Sequence, residues 1–401
     1  MGAAAAVTPK MVQPHHGFRS TRFEGERMER IRTTHTGSLP RPAPIVAAIA
    51  ERERGGPPLD PDAVRDAVAG CVRRQVETGL DVVNDGELAK ISYVTYVRGR
   101  LTGFEPVETP WPRPNPALDG FPEYAERLAG RGGFREVRIP VCRGDVTYPD
   151  TSTVEADITT LQAAATDAGA QVAFLTAASP GVIAMFMRDE HYGDRTAYLI
   201  ALAEAMKTEY DAVHRAGLVL QVDCPDLAAS RAEFPDDAEG LRAFRGLVEE
   251  NVAALNRALR DVPPERVRLH MCWGNYEGPH HRDVALRDVL DIVLTARAGT
   301  ISFEGANPRH GHEWTVFDEV ALPDDRVIMP GVIDTTTNFV EHPELVAQRI
   351  GNYARLVGPD RVLPATDCGL ATVAVGEGGV DPRIAWAKLR SLVEGAALAS
   401  R

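Results

Sequence analysis

Four residues of metal-binding type stand out in this chain: His270, Cys272, Glu304 and Cys368. His270 and Cys272 lie two apart at the end of the apolar run Val267-Arg268-Leu269, just before Gly274. In a β-strand, side chains i and i+2 share a face, so the imidazole and the thiol can address one ion. Thr300-Ile301-Ser302-Phe303 leads into Glu304, and the run from Val362 to Asp367 leads into Cys368 and Gly369. One nitrogen, two thiolates and a carboxylate suit a single tetrahedral Zn2+ per chain. Structural zinc sites usually close with Cys and His at short spacing. These ligands instead spread from position 270 to position 368, and one is an oxygen donor that a substrate can displace. The set reads as catalytic. Cysteine also serves as a small buried hydrophobe, and it is the repeated placement at strand ends that favours ligation.

The elements that must position these donors alternate along the chain. Short apolar runs near positions 31, 82, 172, 218, 267, 300, 327 and 362 read as strands. Helical spacing is expected over 62–78, 158–168, 194–216, 238–259, 283–296, 343–356 and 382–396, with Gly79 and Gly217 as stops. Eight βα units in one chain predict an α/β fold, a TIM (β/α)8 barrel over residues 30–401. A doubly wound sheet would spread the ligands along an edge. In the barrel, His35, Glu87, Asp223, His270, Cys272, Glu304, Asp334 and Cys368 all fall at the C-terminal ends of strands, the face where such barrels do chemistry. The Pro- and Gly-rich stretch at about 101–150, with an extended piece near 137–141, reads as an insertion after the second strand. Residues 1–29 lack apolar periodicity and are expected to be a disordered tail.

Composition narrows the class. A net charge of −13 with no Lys/Arg block excludes a nucleic-acid partner, and 44% hydrophobic with 25% charged residues is ordinary for a globular protein. No apolar stretch is long enough to span a membrane. The five cysteines (Cys71, Cys142, Cys224, Cys272, Cys368) are few, odd in number and widely spaced, which fits a reducing cytoplasm better than a disulfide framework. The expected partners are a small-molecule thiol and an alkyl donor, and a homo-oligomer is left open.

Taken together, Thr33-Thr34-His35-Thr36-Gly37-Ser38-Leu39-Pro40, Asp85-Gly86-Glu87, Asp223-Cys224-Pro225, His270-Met271-Cys272, Phe303-Glu304 and Asp367-Cys368-Gly369 resemble the catalytic barrel of cobalamin-independent methionine synthases, over roughly residues 30–395. The resemblance implies that His270, Cys272, Glu304 and Cys368 bind zinc, and that no cobalamin is held as a prosthetic group. It implies that the His35, Gly37 and Ser38 segment, with Glu87 and Asp223, holds the amino-acid part of homocysteine. Asn275 is expected beside them as a substrate contact.

Two departures qualify the activity. The two-barrel enzymes of this family are roughly twice as long, and the family's Asp-x-His becomes Asp334-Thr335-Thr336, so Thr336 stands where a proton-donating histidine belongs. Trp273-Gly274-Asn275-Tyr276 and Gly278-Pro279-His280 are also similar to epoxyalkane:coenzyme M transferases, single barrels that open an epoxide with a thiolate. Asp334 and the loop histidines His280, His310 and His312, with His281, are then candidates for acid catalysis. The expected activity is a zinc-dependent methyl transfer to homocysteine or a related thiol. Epoxide opening by coenzyme M and a zinc lyase or hydrolase are the alternatives. Two thiolate ligands make zinc a weak Lewis acid and speak against the last.

Overall fold

A computed structural model describes residues 30–106, 116–130, 139–374 and 379–401. The expected N-terminal tail, and the part of the extended piece before residue 139, lie outside these residues. Seven parallel strands form one curled sheet in the order β1 (Val82–Val83), β4 (Val172–Ala178), β5 (Val219–Asp223), β6 (Val267–His270), β7 (Thr300–Phe303), β8 (Val327–Ile333) and β9 (Ala365–Thr366). A separate antiparallel pair, β2 (Phe104–Pro106) and β3 (Pro140–Cys142), lies in the insertion.

The eighth strand, expected near residue 31, is extended chain and not a regular ladder. It still joins the two edges of the sheet. Thr33 O accepts from Asp81 N at 3.0 Å and Val82 N at 3.2 Å beside β1, while Thr34 N donates to Pro364 O at 3.2 Å beside β9. Side chains complete the seam: Thr34 Oγ1 donates to Val82 O at 3.0 Å, and Thr36 Oγ1 donates to Thr366 O at 2.7 Å. Closure in this way satisfies both edges and gives the TIM-like barrel.

Helices wrap the outside: α1 (Ala43–Glu53), α2 (Pro61–Thr78), α4 (Ser152–Ala168), α6 (Arg195–Arg215), α7 (Ala238–Ala258), α9 (Pro343–Val357) and α10 (Pro382–Ala399). α2 shows why the sequence folds so. Asp60 caps its start through Asp62 N, Val68, Cys71, Val72 and Gln75 form its buried stripe, and Gly79 ends it at φ 98°. Removing such a cap costs about 1 kcal/mol.

The helix expected at 283–296 is a correction. Only the short α8 (Leu290–Val293) forms there. The backbone ahead of it is bound elsewhere: Val284 O accepts from Trp273 Nε1 at 2.7 Å and Leu286 N donates to Glu313 Oε1 at 2.8 Å. Three helices escape the periodicity argument, α1, α3 (Pro122–Gly130) and α5 (Pro180–Phe186). All five cysteines are free and buried, and no helix among the described residues is long and apolar enough to cross a membrane.

Candidate active site

Sheet register assembles the site. His270, the last residue of β6, pairs with Asp223 of β5 on one side and Ser302 of β7 on the other. Just beyond the strand ends, the Cys272 and Cys368 sulfurs lie 3.6 Å apart, and the Cys368 sulfur lies 3.6 Å from His270 Nε2. All three donor atoms fall within 4.8 Å of one another, and no other such group converges among the described residues.

The electrostatics fit a soft cation. Burial, helped by the Arg268 charge, pulls the His270 imidazole down to about 3, so the ring is neutral with a lone pair to give. Its Nδ1 lies 3.3 Å from Ser302 Oγ, which leaves Nε2 for the cluster. The Cys368 thiol beside it, and then burial, push the Cys272 thiol well up. Two buried thiols in contact ionise together only beside a positive charge, which a metal cation held by these three residues would supply.

Glu304, expected as the fourth ligand, stands just outside this group of three. Its side chain lies near Cys272, yet the carboxylate does not join the cluster. Oε1 accepts from Trp273 N at 2.8 Å and Oε2 from Asn307 Nδ2 at 2.7 Å, so local donors hold both oxygens. Burial, then the charges of Cys272 and Asp367, push this carboxyl well up.

Two residues hold the loops in register. Asp367 accepts from Gly305 N, Ala306 N and Asn307 N at 2.8–2.9 Å and so ties the Cys368 strand end to the Glu304 loop. A Cβ at Gly331 would collide with that carboxylate. Asn275 donates to Gly369 O at 2.8 Å and Thr372 Oγ1 at 2.6 Å, and accepts from Thr335 Oγ1 at 2.7 Å. Expected as a substrate contact, its amide is occupied in joining three loops.

Residues 116–396 match the family model of the cobalamin-independent synthase catalytic domain. The chain belongs to that family. A methionine synthase of Thermococcus kodakarensis is 25% identical over 378 residues, 92% of this chain and 93% of the relative. A 5-methyltetrahydropteroyltriglutamate–homocysteine methyltransferase of Nitratidesulfovibrio vulgaris is 29% identical over 350 residues, 85% of this chain. The match covers 39% of that longer relative. Among solved structures, a B12-independent methionine synthase from Shewanella sp. W3-18-1 with selenomethionine superposes with a TM-score of 0.67 at 20% identity, over 92% of this chain and 97% of that one, which supports the barrel fold.

In this cobalamin-independent synthase barrel, two buried acids, Glu87 and Asp223, lie close enough for their charges to interact. Burial and the charge of Glu87 push the Asp223 carboxyl up to about 8, while Gln221 Nε2 donates to its Oδ1 at 2.9 Å. Glu87 sits at φ 54°, a left-handed conformation unusual for a residue with a side chain. Its carboxylate packs so closely on Gly37 that a Cβ there would collide. Ser38 borders the other side, its carbonyl accepting from Leu370 N at 2.9 Å. The Tyr93 phenol, not anticipated from sequence, stands near both sulfurs, Asp223 and Asp226, and burial followed by their charges pushes it well up. Beneath them Arg268 is fully buried, donating to Thr34 Oγ1 at 3.1 Å and His35 O at 2.9 Å.

The remaining candidates bond chiefly to neighbouring protein groups. His35 Nε2 pairs with Gln75 Oε1 at 2.8 Å, and burial holds the ring at about 4; it anchors α2 and does not reach the cluster by any hydrogen bond. Asp334 spends its oxygens on its own turn, accepting from Thr336 N and Thr337 N at 3.0 Å. His280 Nδ1 meets Asp283 Oδ2 at 2.8 Å and its Nε2 meets Tyr276 O at 3.1 Å. His310 lies between Glu313 at 3.0 Å and Asp283 at 3.1 Å and stacks on Trp273 at 4.2 Å. His312 is exposed. The candidate acids are therefore committed to loop structure or to solvent.

Proposed function

We propose that this barrel transfers a methyl group to the sulfur of an amino-acid thiol, homocysteine or a close relative, with zinc held by His270, Cys272 and Cys368. The observation that carries the reading is the joint placement of three soft donors and a buried acid pair, Glu87 and Asp223, at one end of the barrel. When bound there, zinc would convert an incoming thiol to its nucleophilic thiolate at neutral pH. Glu87 and Asp223 bind the substrate ammonium, and a buried carboxyl pair in which one member holds a proton gains most from a cation that lets both ionise. The same charges repel a sulfonate, which counts against coenzyme M and epoxide opening. The two thiol donors count against a lyase or hydrolase.

Methyl transfer forms the S–C bond as the bond from carbon to its leaving group breaks. Thr336 offers no acid, its hydroxyl donating to Asp334 Oδ1 at 2.8 Å. The methyl donor we infer is therefore one whose leaving group departs without a proton, such as a sulfonium, in preference to a folate amine. Calorimetric titration of zinc-loaded protein with homocysteine and with coenzyme M, in two buffers of different ionisation enthalpy, tests the thiol. Homocysteine should bind with proton release and coenzyme M should not; the reverse result would transfer support to the epoxide reading. Single-turnover assays with S-methylmethionine and with 5-methyltetrahydrofolate test the donor.

A further inference from the structure

The acid Glu87 sits in a backbone that its own residue type disfavours. Gly86 and Glu87 are consecutive left-handed residues, at φ 66° and 54°. Glycine takes that conformation freely, whereas a residue with a side chain holds it only where its surroundings over-determine it. Glu87 N donates to Asp85 Oδ1 at 3.0 Å, and Gly86 O accepts from Leu39 N at 3.0 Å, which fixes the amino side of the turn. The carboxyl side is fixed by Arg41, which no step of the proposed methyl transfer uses.

Arg41 Nη2 donates to Glu87 O at 2.9 Å and to Lys90 O at 3.1 Å, and Nη1 donates to Ala371 O at 2.8 Å. One planar guanidinium thus grips the left-handed turn with one nitrogen and the loop three residues beyond Cys368 with the other. Because the fork is rigid, it sets the spacing of the two loops as well. The segment that carries Arg41 meets the same loops again. Gly37 leaves room for the Glu87 carboxylate, Leu39 N holds Gly86 O, and Ser38 O accepts from Leu370 N at 2.9 Å. Burial pulls the Arg41 guanidinium below its ordinary range, and the charges of Glu87 and Asp85 oppose that.

We propose that Arg41 is a positioning residue of the thiol site. Its fork holds Glu87 in the left-handed turn and at a fixed reach from the Cys368 loop. An amino-acid thiol can then meet the carboxylate with its ammonium and the metal centre with its sulfur at once. The inference rests on the methyl-transfer reading, since it takes Glu87 as a substrate contact. A lysine would keep the charge at this position but not the fork, and so could not hold both loops.

The test titrates homocysteine calorimetrically into the zinc-loaded full chain and its variants. Arg41→Lys and Arg41→Met should each bind it about tenfold or more weakly than the wild type. Glu87→Gln should lose at least as much. The Arg41→Met/Glu87→Gln double variant should bind nearly as well as Glu87→Gln alone, because the guanidinium acts through that carboxylate; a merely structural brace would give additive losses. The same cycle run with Arg41→Lys gives the answer if the Met variant does not fold. Zinc affinity of the Arg41 variants, read by chelator competition, should stay close to that of the wild type, since Asn275 still holds the loop at Gly369 and Thr372. Wild-type homocysteine affinity in the Arg41 variants, additive losses in the double variant, or a parallel loss of zinc would overturn this proposal and leave the thiol reading in place. Wild-type affinity in Glu87→Gln, or no homocysteine binding by the wild type, would overturn both.

Discussion

Asn275 donates through Nδ2 to the carbonyl oxygen of Gly369 at 2.8 Å, which ties the residue three beyond one cluster cysteine to the residue that follows the other. The same side chain reaches Thr372 and Thr335, so the loops after β6, β8 and β9 share one anchor. Asn275→Ala should leave the fold intact and weaken zinc retention by about tenfold or more, as is usual when groups that orient metal ligands are lost. Zinc affinity measured by competition with a chromophoric chelator reads this directly. Unchanged affinity would mean the loops hold their register without the amide.

Either Cys272→Ser or Cys368→Ser should abolish zinc binding and methyl transfer. Because both sulfurs lie beyond the strand ends, far-UV circular dichroism should stay close to that of the wild type. Collapse of the fold would indicate that the metal is structural.

Asp223 is held up to about 8 by burial and by Glu87, so it carries a proton at pH 7. An ammonium group placed beside it pulls that proton off. Homocysteine binding at pH 7 should therefore release about two protons, one from the thiol and one from Asp223, and Asp223→Asn should reduce the release to about one. Calorimetry in paired buffers counts them.

Burial opposes a charge on His310, but Asp283 and Glu313 override it and hold the imidazole at about 9, above its ordinary value of 6.5. A raised folded-state value stabilises the protein fully below the unfolded value and is lost as pH rises through the folded one. The stability advantage of wild type over His310→Gln should be largest below pH 6.5 and shrink as pH passes about 9. Urea unfolding of both proteins at several pH values gives the curve, and a pH-independent gap would show that the ring acts by packing on Trp273.

Gly331→Ala would drive a methyl group into the Asp367 carboxylate. The expected cost is about 1–3 kcal/mol of stability, together with faster zinc loss, since Asp367 adjoins Cys368 in the chain. Thermal melts and zinc dissociation rates should change together. A stable variant with wild-type zinc kinetics would show that the β8 backbone yields without moving Cys368.

Much of the site was legible because strand periodicity is local. Two residues of spacing put His270 and Cys272 on one side of a strand end, and each other donor followed its own short apolar run. The alternation of strands and helices then required a barrel, and a barrel gathers the C-terminal ends of its strands. The chain's own pattern therefore determined the fold, the soft donors and the position of the acids Glu87 and Asp223. Which polar group bonds to which is a competition among neighbours remote in sequence, and only tertiary structure decides it. Glu304 turned to the Trp273 and Asn307 donors, His35 to Gln75, and His310 to two carboxylates. The backbone at 284–286 was captured by Trp273 and Glu313, which stopped a helix that its apolar spacing alone supports.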